Sequence, residues 1–348
     1  MKIIIINSPL FRDRNDLYDE DSLPPLGLGY IATNLKNNGI EVHLIDAVFE
    51  RIPLKNLIAK LNRAKPDFVA VNVFTTNKDL VREMIEKLKF KTHLIVGGLS
   101  TKQLYKEIVY WKTANPIDIV TGDGELITLD IVNGIVSEAP FLQHGNRRVF
   151  QVNNNSIYLP KDISDIALDR SFFLNEPVQH ALGFIEANIV ASRGCVYNCA
   201  FCAAARSLNK ETSPRERSED SVIRELLSIQ ENFPKVNSIR VLDDLFLKYK
   251  MSIEKAIRIF SKFNLQWRSM AHVMTFNQAD DQLMTALKSS GCHELFIGIE
   301  SGSPKILSAI EKTSNVDTII KNLTKVFKAG INMKGYFIYG FPNETLED

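Results

Sequence analysis

Strand and helix patterns alternate along residues 3–120. The first pattern, residues 3–6, is a run of isoleucines, as expected of a parallel strand that is covered on both faces. Apolar residues at helical spacing follow, and the order then repeats, with further strand patterns at residues 42–45, 68–73, 93–96 and 117–120. Strands separated by helices in this way predict a doubly wound, Rossmann-like parallel sheet in an α/β protein. Ligands of such sheets bind beyond the carboxyl ends of the strands.

A second alternating series begins at residue 187. Its strand patterns fall at residues 187–191, 238–242, 266–273, 294–299 and 333–339. This repeating unit predicts a TIM-like barrel, whose catalytic groups lie at the carboxyl ends of the strands. We therefore expect a sheet domain over residues 1–132, a connector over residues 133–183 and a barrel domain over residues 184–348. In the connector, which shows little periodicity, a short hairpin is expected near residues 149–158.

The bulk composition argues against two classes of function. Lys and Arg number 42 against 41 Asp and Glu, and this net charge of +1 gives no sign of a nucleic-acid-binding protein. The apolar run at the amino terminus is too short for a signal peptide or a membrane span. Because a chain with four cysteines and no such signal indicates a reducing compartment, we expect a cytoplasmic protein.

Three of the four cysteines lie close together, at Cys195, Cys199 and Cys202. Three thiolates on one short loop can hold three irons of a 4Fe–4S cubane, which leaves the fourth iron open for chemistry. The alternatives are weaker. A structural zinc site needs four ligands, usually as two separated pairs, and a disulfide framework does not suit a reducing compartment. The remaining cysteine, Cys292, follows a helix end, where we expect a small buried thiol.

With its Cys-x3-Cys-x2-Cys spacing, the loop resembles that of the radical S-adenosylmethionine (SAM) superfamily. The resemblance implies that the open iron chelates the amino and carboxylate groups of SAM. An electron from the cluster then cleaves SAM to a 5′-deoxyadenosyl radical. The resemblance also implies a partial (β/α)6 barrel, which in this chain is truncated at its carboxyl-terminal end, since Asp348 falls where a fifth helix would open.

The same resemblance gives SAM-binding roles to residues that follow the barrel strands. Asp243 and Asp244 match the position that contacts the SAM amino group, and Glu300 and Ser301 match the segment that meets its ribose and carboxylate. Gly335 and Gly340 belong to a segment similar to the one that packs against adenine. No side chain is assigned a catalytic role. For each of these residues, ordinary turn chemistry at a strand end stays open as the alternative.

One strand end departs from the family pattern. In many relatives the strand that contains the equivalent of Trp267 ends in Arg, whereas this chain has His272. The change replaces a permanent charge with one that titrates near neutrality. Because lone histidines are more often structural, both a structural role and a role at SAM stay open for His272.

The strand ends of the first domain resemble the cobalamin-binding domains that precede many radical SAM cores. Glycines there would let the backbone approach a flat macrocycle. The matching residues are Pro24, Gly27, Gly29, Thr75, Thr76, Gly97, Gly98, Gly122, Gly124 and Glu125. The Asp-x-His-x-x-Gly pattern that supplies a lower cobalt ligand in other cobalamin enzymes is missing, since residues 46–51 contain no His. Its absence suits the radical SAM branch and equally a domain that has lost cobalamin.

Together these resemblances imply a cobalamin-dependent radical SAM enzyme, a transferase acting on a small-molecule substrate. It would methylate, rearrange or cyclise an unactivated carbon, with electrons from a donor such as flavodoxin or ferredoxin. The alternatives are a radical SAM enzyme without cobalamin, an enzyme that thiolates RNA, and a truncated non-catalytic relic. The thiolating class carries a second cysteine trio in its amino-terminal domain, and residues 1–150 contain no cysteine.

Overall fold

The chain divides into two compact units, each with its own main sheet. The structure is a computed structural model that describes residues 1–9, 23–180, 183–210, 213–312 and 315–348. The first unit comprises residues 1–161 and 166–176, and the second comprises residues 162–165 and 177–348.

A parallel sheet flanked by helices forms the first unit. Its strands and helices are β1 (Lys2–Asn7), α1 (Leu26–Asn37), β2 (Glu41–Asp46), α2 (Leu54–Ala64), β3 (Phe68–Asn72), α3 (Lys78–Glu86), β4 (His93–Gly97), α4 (Thr101–Ile108), β5 (Ile117–Thr121) and α5 (Glu125–Asn133). These strands stand in the order β2-β1-β3-β4-β5. The order reverses between β1 and β3, which is the point where sheets of this topology bind ligands.

Two hydrophobic cores cover the two faces of this sheet. On β1, Ile4 and Ile6 belong to a core that includes residues of α2, α3 and α4. Ile3 and Ile5 belong to the opposite core, with residues of α1 and α5. All four isoleucines are buried because successive side chains of a strand point to opposite faces, and both faces are covered by helices. The predicted doubly wound sheet is confirmed.

The region expected as a connector adds two strands to the first sheet, β6 (Leu142–His144) and β7 (Arg147–Gln151). They form a hairpin, and β7 runs parallel to β5. Among the described residues the sheet therefore has the order β2-β1-β3-β4-β5-β7-β6. The hairpin starts before the expected residues 149–158. Val149 and Phe150 are both buried, so β7 lacks the alternation of apolar and polar residues that predicts a strand with one exposed face.

The second unit curls five parallel strands into a half barrel with helices between them. Its elements are β8 (Val178–Gln179), β9 (Ile185–Ile189), β10 (Ser192–Arg193), β11 (Arg215–Glu216), α6 (Glu219–Asn232), β12 (Ser238–Val241), α7 (Lys250–Phe260), β13 (Gln266–His272), α8 (Asp281–Ser289), β14 (Cys292–Glu300), α9 (Pro304–Ala309), α10 (Val316–Lys328) and β15 (Asn332–Phe337). In the part of the chain that the structure describes, the main sheet has the order β15-β14-β13-β12-β9-β8, with only β8 antiparallel to its neighbour. The predicted partial barrel is confirmed.

One hydrophobic core holds the helices of the second unit onto the strands. At its centre Trp267 of β13 is fully buried and stacks on Phe260 of α7 at 4.6 Å between ring centroids. Cys292 is also fully buried in this core, as expected for a structural thiol. Of the helices described, none has the length and apolar character that a bilayer crossing requires.

Candidate cofactor sites

The cysteine loop, residues 194–202, follows β9 and β10 and is held by residues that follow the neighbouring strand, β12. Asp243, just after β12, is 4% exposed and accepts hydrogen bonds from Ala191 N–H at 2.7 Å and from Ser192 Oγ at 2.6 Å. Burial raises the pKa of Asp243 to about 6. The neighbouring Asp244 is exposed and accepts a hydrogen bond from Gly194 N–H at 2.9 Å. Asp243 thus anchors the entry to the loop, while Asp244 faces solvent.

Backbone hydrogen bonds shape the loop around its three free, partly exposed thiols. Tyr197 N–H donates to Cys195 Sγ at 3.5 Å, and Cys202 N–H donates to the Cys199 carbonyl at 3.0 Å. A third bond, from Ala200 N–H to the Ile310 carbonyl at 3.0 Å, docks the loop on the end of α9. Residues after β12 and at the end of α9 therefore hold the loop, and its three cysteines stay partly exposed.

The donor set fits an iron–sulfur cluster better than a single metal ion. Among the described residues, no three His, Cys, Asp or Glu side chains converge closely enough to hold one ion, as mononuclear zinc would require. In a cubane each cysteine binds a different iron, so such convergence is not needed. Burial raises the pKa of the Cys195 and Cys199 thiols. A bound cation would favour their thiolate forms. The three cysteines stay the predicted ligands.

Two aromatic rings connect the cysteine loop to β13. The Tyr197 and His272 rings are stacked, with centroids 3.8 Å apart and planes 12° from parallel. His272 is buried, and its Nδ1 accepts a hydrogen bond from Met274 N–H at 3.2 Å. Burial lowers the pKa of His272 to about 3, so the ring is neutral near pH 7. Tyr197 was not identified from the sequence, where an aromatic residue between two cysteines gives no sign of its partner.

A buried ion pair lies at the end of β14. Glu300 Oε1 accepts a hydrogen bond from Lys312 Nζ at 3.1 Å, and both side chains are less than a tenth exposed. Glu300 has a φ of +68°, an uncommon conformation for a non-glycine residue. Gly298 makes room for the pair, because a Cβ there would lie 2.3 Å from Glu300 Oε1. Lys312 gave no signal in the sequence, since its partner lies twelve residues away, on the other side of α9.

A cleft of about 700 Å³ opens beside Glu300. It contains several of the residues predicted for SAM, and its walls are Glu300, Ser301, Gly302, Phe337, Ile338, Tyr339, Gly340, Glu344, Thr345, Leu346 and Asp348. Ser301 Oγ also accepts a hydrogen bond from Ser303 N–H at 3.1 Å. Gly335 lies outside these walls, and a Cβ on it would meet Ile299 Cδ1 at 2.8 Å. The structure therefore brings Glu300, Ser301 and Gly340 together at one cleft and places Gly335 against the neighbouring strand.

Four of the glycines predicted for cobalamin are required by the packing of the first unit. Gly98 and Gly122 have φ values of +106° and +100°, and a Cβ on them would lie 2.9 Å from Val73 backbone atoms and 2.4 Å from the Val152 carbonyl oxygen. A Cβ on Gly29 would meet the Phe173 ring, and one on Gly124 would meet the Ile31 side chain. All four glycines therefore make close contacts with other parts of the same chain, and these contacts leave no room for a side chain.

Two other glycines leave open space at the carboxyl ends of the strands. A Cβ on Gly27 would meet nothing within 4 Å, and one on Gly97 would meet only the Val120 carbonyl oxygen, at 4.0 Å. Thr75 and Thr76, after β3, are exposed at the same edge. Pro24 and Glu125, at the starts of α1 and α5, are buried. At this edge the two glycines leave space that a side chain would otherwise fill, and a flat macrocycle needs such space to approach the backbone.

A polar chain crosses the same edge at the point where the strand order reverses. Asn72 Nδ2 donates to Asn7 Oδ1, and Asn7 Nδ2 donates to Asp46 Oδ1, each at 2.7 Å. Burial raises the pKa of Asp46. Its Oδ2 is buried and has no hydrogen-bond partner within the described ranges. The residues after β2 contain no His, and the structure places the unpartnered Oδ2 of Asp46 there instead.

Two family models match the chain. Residues 189–348 match the Radical SAM superfamily, and residues 19–132 match the B12 binding domain.

Similar proteins cover nearly the whole chain. Among curated proteins, "Uncharacterized methyltransferase PH0819" of Pyrococcus horikoshii is 27% identical over 339 residues, which span 93% of this chain and 71% of that protein. Among solved structures, the radical S-adenosylmethionine methyltransferase TsrM from Kitasatospora setae matches with a TM-score of 0.71 at 16% identity, covering 99% of this chain and 69% of TsrM. The cobalamin-dependent S-adenosylmethionine radical enzyme OxsB matches with a TM-score of 0.67 at 18% identity, and this chain spans 97% of its own length and about half, 49%, of OxsB. At these identities the two structures show a shared fold.

Proposed function

We infer the function from one premise: the chain belongs to the radical SAM superfamily and carries an amino-terminal B12 binding domain. Its cofactors are accordingly a 4Fe–4S cluster, SAM and cobalamin. When bound, these groups supply a 5′-deoxyadenosyl radical that abstracts hydrogen and a methyl group for transfer. We propose that the enzyme methylates an unactivated carbon of a small-molecule substrate, and that a flavodoxin or ferredoxin supplies the electrons.

The cysteine loop is the observation that carries this proposal. Its three sulfurs are partly exposed, while Asp243, Asp244 and the Ile310 carbonyl fix its backbone. A protein that performs radical chemistry must position its cofactors and keep the reacting atoms from solvent. A loop anchored to two other strand–helix units, with its cysteines accessible to a cluster, suits the positioning part of that task.

We assign the SAM-binding roles with one change from the sequence prediction. Asp244 is exposed and is the better acceptor for the SAM amino group, since both oxygens of Asp243 are used by Ala191 and Ser192. Glu300 and Ser301 are proposed to receive the ribose and carboxylate. Lys312 holds one carboxylate oxygen of Glu300, and the other oxygen is the acceptor that we propose for the ribose.

For cobalamin, the proposed contact surface is the edge formed by Gly27, Gly97, Thr75 and Thr76. The first two leave room for a macrocycle, and the threonine hydroxyls can bond its amide side chains. Asp46 supplies a buried acceptor beneath the loop that follows β2. Gly29, Gly98, Gly122 and Gly124 support this surface by allowing the chain to pack closely behind it.

RNA thiolation is the competing function, and the cysteine count speaks against it. The full sequence contains four cysteines, of which Cys292 is fully buried, so no second trio is available. A methyltransferase needs only the trio that is present.

Anaerobic reconstitution tests the proposal. The full chain is loaded with iron and sulfide, reduced with dithionite and studied by electron paramagnetic resonance with and without SAM. It is then mixed with hydroxocobalamin and desalted. We expect a 4Fe–4S signal that changes with SAM, and retained corrinoid absorbance. A SAM-responsive cluster without corrinoid would reduce the proposal to a radical SAM enzyme without cobalamin. Absence of a cluster, or one that persists in Cys199→Ala, would refute it.

A further inference from the structure

Tyr197 is held at both ends of its side chain. It lies in the cysteine loop, two residues from Cys195 and two from Cys199. Its ring stacks face to face on His272 at 3.8 Å, and its hydroxyl donates to the Lys248 carbonyl at 3.1 Å. His272 ends β13, while Lys248 follows β12, so the Tyr197 side chain connects the loop to two neighbouring strand–helix units.

The His272 ring is fixed in one neutral form. Its Nδ1 accepts a hydrogen bond from Met274 N–H, so in the neutral ring the proton must be on Nε2. Burial keeps the ring neutral, with a pKa of about 3. Within the described residues, Nε2 has no hydrogen-bond partner. Beyond its single bond to the backbone, the ring is therefore held by packing, and its main contact with the cysteine loop is the stack.

The backbone N–H of Tyr197 points at a cysteine sulfur. This main-chain N–H donates to Cys195 Sγ, 3.5 Å away, in the same residue whose ring and hydroxyl are held by His272 and the Lys248 carbonyl. The Tyr197 carbonyl accepts a hydrogen bond from Arg206 N–H at 2.9 Å, which fixes the same peptide segment from the other side. N–H groups that donate to cysteine sulfurs stabilise the thiolate and tune the reduction potential of a cluster.

We propose that His272 is a positioning residue of the cluster site, whose ring holds Tyr197 and thereby keeps the Tyr197 N–H on the sulfur of Cys195. The role belongs to the flat neutral ring and not to its titration or its Nε2 proton. This inference rests on the proposed iron–sulfur cluster, and it assigns a role at the cluster site to a residue that is not itself an iron ligand.

Two substitutions at His272 distinguish the contribution of the aromatic ring from that of its two nitrogen atoms. His272→Phe keeps an aromatic face for Tyr197 and loses both nitrogens. His272→Asn keeps an acceptor for Met274 N–H and an amide donor, but removes the ring. Iron and sulfide content and the reduction potential of the reconstituted full chain are measured without SAM, cobalamin or substrate. Thermal unfolding of the iron-free chain controls for folding, and Tyr197→Leu removes the stack from the other side.

We expect His272→Phe to retain the wild-type cluster content and potential. His272→Asn and Tyr197→Leu should bind iron about tenfold more weakly, a typical loss for a residue that supports metal ligands, and any cluster that forms should have a lower potential. If His272→Asn folds poorly, Tyr197→Leu decides by comparison with Tyr197→Phe, which keeps the stack and loses only the hydroxyl bond to Lys248 and should behave as wild type. Wild-type behaviour of the decisive variant, or an equal loss in His272→Phe, would overturn the inference while leaving the proposed function intact. Failure of the wild-type chain to form a cluster would overturn both.

Discussion

Ser192 Oγ lies 2.6 Å from Asp243 Oδ2, and this contact joins the entry of the cysteine loop to the end of the neighbouring strand. The Ala191 N–H bond to the other oxygen completes the anchor. Both donors come from the chain between β9 and the first cysteine, so the position of Cys195 depends on a residue that follows β12.

The Asp243 anchor makes stability depend on pH. Its pKa is raised from 3.8 to about 6 in the folded chain, because burial disfavours the carboxylate. Its contribution is therefore fully present below about pH 4 and is lost as pH rises through about 6, by an amount on the order of 3 kcal/mol. Hydrogen exchange of the β12 amides, corrected for intrinsic rates, measures the opening free energy. We expect Asp243→Asn to remove this pH dependence between pH 4 and 7, and Asp244→Asn to keep it. Equal slopes in wild type and Asp243→Asn would contradict the assignment.

Cys292 is the matched control for the three loop cysteines. It is fully buried, whereas the three loop cysteines are partly exposed, so in the folded chain iron and thiol reagents reach Cys292 least readily. We expect Cys292→Ala to retain the wild-type iron content, and each of Cys195→Ala, Cys199→Ala and Cys202→Ala to lose most of it. In the native iron-free chain, a thiol reagent should label three cysteines rapidly. Rapid labelling of a fourth, before unfolding, would show that Cys292 is accessible.

Two glycine substitutions separate corrinoid binding from folding. A Cβ on Gly97 has free space, so Gly97→Ala should leave the unfolding temperature unchanged and weaken hydroxocobalamin retention. Gly122→Ala places a Cβ 2.4 Å from the Val152 carbonyl oxygen at a positive φ, so it should destabilise the first unit by roughly 1–3 kcal/mol. Calorimetry and the absorbance retained after desalting measure the two effects. Undiminished retention in a folded Gly97→Ala would place the corrinoid elsewhere.

The ion pair between Glu300 and Lys312 should show strong coupling. Lys312→Met leaves a buried carboxylate without its cation, a change that typically costs about 3–5 kcal/mol. Glu300→Gln combined with Lys312→Met removes both charges and should recover much of the loss. A double-mutant cycle of unfolding free energies measures the coupling. Additive effects of the two single substitutions would show that the pair contributes nothing as a pair.

Local patterns were sufficient for the fold because they repeat. The isoleucines of β1 and the apolar stripe of α2 indicate burial on one or two faces without knowledge of any partner. One exception was β7, whose Val149 and Phe150 are buried on opposite faces by elements far away in sequence. A short strand of this kind has no period of its own, so the region was expected as a connector.

The candidate site was only partly predictable, because its predicted ligands are close in sequence and their supports are not. Cys195, Cys199 and Cys202 stand together in the sequence, and their spacing predicts a cluster site. The contacts that hold them come from distant strand ends, such as Asp243 and His272, and no spacing relates these residues to the loop. Adjacent carboxylates also look alike in a sequence, and only burial separates Asp243, which anchors, from Asp244, which faces solvent.

The anchors of the cysteine loop come from the ends of β12 and β13 and from the end of α9. The loop contains no helix or strand of its own over residues 194–202, so local opening of any of these units would release it. The rate at which a protease cleaves residues 194–202 therefore measures how often these parts of the half barrel open locally.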